Sequence, residues 1–128
     1  MYNANLKMPN EYPIIIAIDW ADQKHDFRIR RGHEIQTLEI SSDLKIIKVF
    51  FDELIEESNG APIAIVIEKC RSGLMNLMLK IQELDIYAVH PTMASKFAQT
   101  FSPSGAKSDP ADAQSLMELY LNHHKRLK

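Results

Sequence analysis

Two unbroken runs of β-branched and small apolar residues dominate the hydropathy pattern, Ile14–Ile18 and Ile63–Ile67. Each follows a proline, Pro13 or Pro62, and each ends in a carboxylate, Asp19 or Glu68. Continuous apolar runs of this length predict central strands covered on both faces. Between them the pattern changes to alternation. Phe27 and Ile29 lie between charged neighbours over Asp26–Arg30, as a half-buried strand requires. Arg31-Gly32-His33 is a tight turn, and Glu34–Ile40 is the returning strand of a hairpin. The first three strands are therefore expected to form an antiparallel meander.

Helical spacing follows. Ser41, Ser42 and Asp43 offer N-caps before Leu44, Ile47, Phe50, Phe51, Leu54 and Ile55, and Asn59-Gly60 ends that helix. Ser72 caps a second helix expected from Gly73 to about Leu84, burying Leu74, Leu77, Met78 and Ile81. A short strand is expected over Ile86–Val89, closed by His90-Pro91. Met93, Phe97 and Phe101 suggest a short helix before the Ser102–Lys107 loop. A last helix is expected from about Pro110 to the end, with Leu116, Leu119 and Tyr120 inward. It lacks a Gly or Pro stop over Asn122–Lys128, so its apolar face is a candidate for self-association and the chain reads as the front part of something longer.

The order β-β-β-α-β-α-β-α matches a ribonuclease-H-like α/β architecture, a mixed five-stranded sheet with helices on its faces. In it the first and fourth strands run parallel, side by side. Ligands of open α/β sheets gather beyond the carboxyl ends of the strands, where Asp19 and Glu68 would meet. Residues 1–12 are expected to be a flexible lead-in and residues 13–128 one domain.

Composition narrows the choice of partners. The 128 residues suit a single domain, and the apolar and charged fractions are ordinary for a globular protein. No apolar stretch approaches the roughly 20 residues of a membrane span, and no signal-peptide pattern opens the chain, so an intracellular protein without a membrane partner is expected. One cysteine, Cys70, excludes an internal disulfide and a Cys-based zinc cluster. The formal charge of −2 argues against a strongly basic nucleic-acid binder. Locally, however, Lys24, His25, Arg28, Arg30, Arg31 and His33 cluster early and His123 to Lys128 is basic, which permits one.

The chemistry lies in the acids. Asp19 and Glu68 are joined by Asp109-Pro110-Ala111-Asp112 at the expected start of the last helix. Acids three apart share a helical face, so both aspartates could turn to one site. Magnesium and manganese prefer oxygen ligands, and a two-metal centre of roughly 3.5–4 Å separation can position a phosphate with its attacking and leaving oxygens. Each acid also has a structural reading. Asp109-Pro110 is a good helix start, and a strand-ending Asp often enters a turn. Glu68 follows five buried apolar residues and calls for a partner, with Lys69 and Arg71 as candidates. The conjunction, not any single acid, points to metal chemistry. His25-Asp26 is weaker as a proton relay and reads as a surface pair. Trp20 reads as packing, His90 as a strand-end residue, and His123-His124 as solvated. Gly60, Gly73 and Gly105 belong to no phosphate-cradling motif.

Three segments resemble the insertion-sequence 110 family of DEDD transposases: Ile16-Ala17-Ile18-Asp19-Trp20-Ala21-Asp22-Gln23-Lys24-His25-Asp26, Ile67-Glu68-Lys69-Cys70-Arg71-Ser72-Gly73-Leu74, and Phe101 through Ala113, whose lysine precedes Asp109 by two residues. The resemblance runs from about Tyr12 onward and covers the family's N-terminal RuvC-like domain. It implies that the DEDD acids fall on Asp19, Glu68, Asp109 and Asp112, which would bind Mg²⁺ or Mn²⁺ for transesterification of a DNA phosphodiester. Lys69, Arg71 and Lys107 are candidates for contacts to that phosphate. Other implications are a second, serine-bearing domain not contained in this chain, a structured noncoding RNA partner, homo-oligomerisation, and work in the bacterial cytoplasm at the nucleoid. Two other classes remain beside it: a non-catalytic nucleic-acid-binding or dimerising remnant, and a nuclease or junction resolvase of the same fold.

Overall fold

The computed structural model describes residues 7–101 and 112–127. Five strands form one sheet in the order β3-β2-β1-β4-β5, with β1 Ile14–Asp19, β2 Lys24–Arg31, β3 Glu34–Ser41, β4 Ile63–Glu68 and β5 Leu84–Val89. The meander is antiparallel, whereas β1–β4 and β4–β5 pair in parallel through Ile16↔Ile65 and Ile65↔Ile86. This is the mixed sheet of a ribonuclease-H-like fold, as the order of elements implied. The turn at Gly32 has φ +61°, and Asn59 and Gly60 adopt φ 56° and 78° at the end of the first helix, conformations that favour Asn and Gly.

Two apolar layers cover the sheet, and they differ in grain. Alternation along β1 and β4 sends Ile14, Ile16, Ile18, Ile63, Ile65 and Ile67 to one face, against α1 (Leu44–Glu57) and α2 (Gly73–Leu79). Burying each such side chain contributes roughly 1.5–3 kcal/mol, so these two strands anchor that layer. The other face carries Ile15, Ala17, Ala64 and Val66, covered by α3 (Pro91–Phe101) and α4 (Ala113–His123). Small side chains there, with Ala113 on the helix, let α4 lie close to β1 and β4.

Several boundaries differ from the sequence reading. The second helix stops at Leu79 rather than near Leu84, because Leu84 is taken into β5 and packs in the α1/α2 layer. Tyr12, assigned to the lead-in, is 5% exposed and packed under the sheet. The last helix starts at Ala113 with Asp112 as its N-cap, so the expected start near Pro110 does not hold. Its apolar face is not free for self-association: Leu116, Met117, Leu119 and Tyr120 are buried within the chain. His124, expected to be solvated, has both ring nitrogens buried beside Tyr120.

A candidate acidic centre at the carboxyl ends of the central strands

The period of two that sorts Ile from Ala also aims the acids. Asp19 continues the Ile15–Ala17 face of β1, and Glu68 continues the Ala64–Val66 face of β4. Each lies one residue beyond the parallel pair Ile18↔Ile67, so the two are neighbours on the α4 side of the sheet. The hairpin register sets a third acid, Asp26, directly across from Asp19. Asp112 arrives from above as the cap of α4, and a groove of about 490 Å³ is lined by Asp19, Asp26, Arg28, Glu39 and Asp112 among others. Sequence reasoning set Asp26 aside. Its signal was the strand parity, which only a known hairpin register could convert into a position.

Electrostatics follow from this crowding. Partial burial pushes the Asp19 carboxyl up to about 6, and the charges of Asp26, Asp112 and Glu68 push in the same direction. Like charges near one carboxylate disfavour its ionised form unless a cation or proton intervenes. Neither Lys69 nor Arg71, both exposed just beyond Glu68, makes an ion pair with it among the described residues. Lys69 is instead held by its backbone, whose N–H donates to the Val89 carbonyl at 2.7 Å.

The loop after Asp19 is fixed by His25, which is 3% exposed and not part of a surface pair. Its Nδ1 accepts the Ala21 N–H at 2.9 Å, tying the turn that follows Asp19 back onto β2. That bond requires an unprotonated Nδ1, and burial moves the imidazole below its usual range. Trp20 packs against the α1/α2 layer, in keeping with a packing role.

Asp112 has a second task. Its Oδ1 accepts the Ser115 N–H at 2.8 Å, and the Ser115 hydroxyl accepts the Asp112 N–H at 3.1 Å, a reciprocal cap. Its backbone is extended, with φ −100° and ψ 176°, just ahead of the first helical residue, Ala113. Asp109 and Lys107 lie outside the described residues. Among the described residues no group of three or more His, Cys, Asp or Glu side chains is set to hold a metal ion together. What converges there is a concentration of hard oxygen donors around Asp19, the donor chemistry that suits Mg²⁺ or Mn²⁺.

Fold and site together define a ribonuclease-H-like domain with an acidic centre at the carboxyl ends of its two middle strands. A family model described as a transposase, the DEDD transposases of insertion sequence IS110, matches residues 16–128. The chain belongs to that family. It is also 30% identical over 104 residues to a candidate transposase of the IS117 mini-circle from Streptomyces coelicolor. That match covers 78% of this chain but 25% of the relative, so the chain spans about a quarter of the length of the protein it resembles. No helix among the described residues is long and apolar enough to cross a membrane.

Proposed function

We propose that this chain is the metal-binding catalytic domain of a DNA transposase, with Asp19, Glu68, Asp109 and Asp112 as the carboxylates that hold Mg²⁺ or Mn²⁺. The carrying observation is the crowding of acids around Asp19 at the ends of two parallel strands, with α4 bringing Asp112 to the same place. A protein keeps such an arrangement against its own repulsion where the site has work to do. When bound, the divalent cation supplies Lewis-acid stabilisation of charge on a scissile phosphate. The residues of the chain do the rest. Asp19 and Glu68 present their oxygens from rigid strand ends, where packing of Ile18 and Ile67 fixes their backbones. Asp112 is oriented by its bonds to Ser115, and His25 holds the loop beyond Asp19. Lys69, Arg71 and Lys107 are assigned to phosphate contacts.

In this reading DNA cleavage and strand transfer belong to the longer protein, whose serine-bearing domain provides the attacking hydroxyl. The same reading includes a structured noncoding RNA, a homo-oligomeric assembly and action at the nucleoid. The test is calorimetric titration of Mn²⁺ into the chain and into Asp19→Asn. Binding by the parent and at least a tenfold loss in the variant is the expected result. Equal weak binding by both would remove the metal site. Cleavage of branched DNA by this chain alone would favour the nuclease reading instead.

A further inference from the structure

The groove beside the acids also contains a cation with unmet bonding capacity. Arg28 follows Asp26 by two residues on β2, so the two share the α4 face of the sheet about 6.7 Å apart along the strand. Arg28 Nε is buried and has no hydrogen-bond partner among the described residues, and the side chain makes no ion pair among them. Nearby Glu39 is already paired, with Lys24 at 3.4 Å. A guanidinium donor desolvated without a partner is costly, and its planar fork matches the oxygens of a phosphodiester. Thr37, on the adjacent edge strand, adds a hydroxyl to the same groove wall.

We propose that Arg28 seats a backbone phosphate of the DNA strand beside the phosphate held at the acidic centre, so that the strand runs outward over β2 and β3. This rests on the metal-centre reading for the identity of the neighbouring phosphate, while the seat itself rests on Arg28. Arg28 is therefore a positioning residue: it fixes the register of the strand and leaves the bond-breaking to the acids.

The experiment measures anisotropy of a short labelled DNA single strand with the full chain in Ca²⁺, across a salt series. Arg28→Gln keeps most of the aliphatic stem and is expected to weaken binding about 5–10-fold and to flatten the salt slope by about 0.7, the loss of one phosphate contact on a single strand. Arg28→Lys retains the slope but loses affinity, because a point charge replaces the fork, and it carries the test if the Gln variant does not fold. A merely structural Arg28 would lower thermal stability without changing the slope. Unchanged affinity and slope in Arg28→Gln, an effect seen only with an RNA strand, or no DNA binding by the parent would each overturn the assignment. Asp19→Asn separates the two readings. If it keeps full Mn²⁺ binding while Arg28→Gln still flattens the slope, the metal centre falls and the phosphate seat stands. If it loses Mn²⁺ while Arg28→Gln binds DNA normally, the reverse holds.

Discussion

The sheet face under α4 carries a polar cluster at each end of its parallel strands, and the two follow opposite rules. At the amino ends the Tyr12 hydroxyl donates to Asp85 Oδ2 at 2.8 Å and lies 2.9 Å from the Tyr87 hydroxyl. Tyr87 donates to the Lys7 carbonyl at 3.3 Å and packs at a tilt against Tyr120, ring centres 4.8 Å apart. Among Tyr12, Asp85, Tyr87 and Lys7 donors meet acceptors, and burial holds the Tyr12 and Tyr120 phenols firmly in the protonated form, although the buried Tyr120 hydroxyl has no hydrogen-bond partner among the described residues. At the carboxyl ends Asp19 faces Asp26, with Asp112 and Glu68 near enough to act on its charge. Acceptors meet acceptors there. The first cluster completes the core, as buried polar groups do when they are satisfied. The second opposes folding slightly, because the charges around Asp19 disfavour its ionised form unless a cation or a proton intervenes. The difference separates a polar cluster that completes the core from one that stands as a candidate site.

The largest test of this contrast is catalytic. In a full-length parent, Asp19→Asn or Glu68→Gln is expected to lower metal-dependent strand cleavage on the order of 10³-fold, since the metal accounts for several kcal/mol of transition-state stabilisation. A cleavage assay in Mg²⁺ measures it, and activity within tenfold of the parent would take that residue out of the scheme. At the opposite end, Tyr87→Phe removes the hydroxyl that links Tyr12 to the Lys7 carbonyl. Urea unfolding should show a loss of about 1–2 kcal/mol, with Mn²⁺ affinity unchanged. Were Mn²⁺ binding to fall as well, the two clusters would not be independent.

Asp112 is a helix cap and a proposed metal ligand, and two substitutions divide the two roles. Asp112→Ala should destabilise by about 1 kcal/mol through loss of the cap, whereas Asp112→Asn should keep stability and still weaken Mn²⁺ binding. Wild-type metal affinity in the Asn variant would leave Asp112 a cap and nothing more. The smallest effect is in pH. Asp19 titrates near 6 in the folded chain, above an ordinary carboxylate, so the native state holds a proton that the unfolded chain has released. Its stabilising contribution is complete below pH about 4 and is lost as pH rises through 6. His25 has the opposite sign: its imidazole is depressed, so its contribution is present above the usual histidine range and lost as pH falls. Comparing melting temperatures of the parent and Asp19→Asn cancels the histidine. The Asn variant should gain on the parent between pH 4 and 7, modestly because the carboxyl is half exposed. A constant difference across that range would contradict the crowding of the acids.

Much of the fold was legible because its signals are local. The Ile14–Ile18 and Ile63–Ile67 runs, the Gly32 turn and the Asp43 and Ser72 caps all stand where the structure has them, the last two accepting from the Lys45 and Met75 N–H groups. Asp19 and Glu68 were legible too, as charges at the ends of strands long enough to be central. The misreadings came where two local signals competed. Asp109-Pro110 read as the helix start, whereas the structure caps the helix at Asp112, where Ser115 can reciprocate. Leu84 fitted a helical face as well as a strand.

The sequence alone determined which residues are acidic, which runs must be buried, and that β1 and β4 end in carboxylates, since these depend on residue type and period. Only the tertiary structure decided which acids face one another. A hairpin register brought Asp26 opposite Asp19, a buried imidazole tied the intervening loop, and the Ala17 and Ala64 side of the sheet let α4 carry Asp112 close. Those outcomes turn on pairing and packing between segments far apart in the chain, which no local pattern encodes. Arg28 is the clearest case: one more charge in a basic stretch until the folded sheet leaves its Nε without a partner among the described residues.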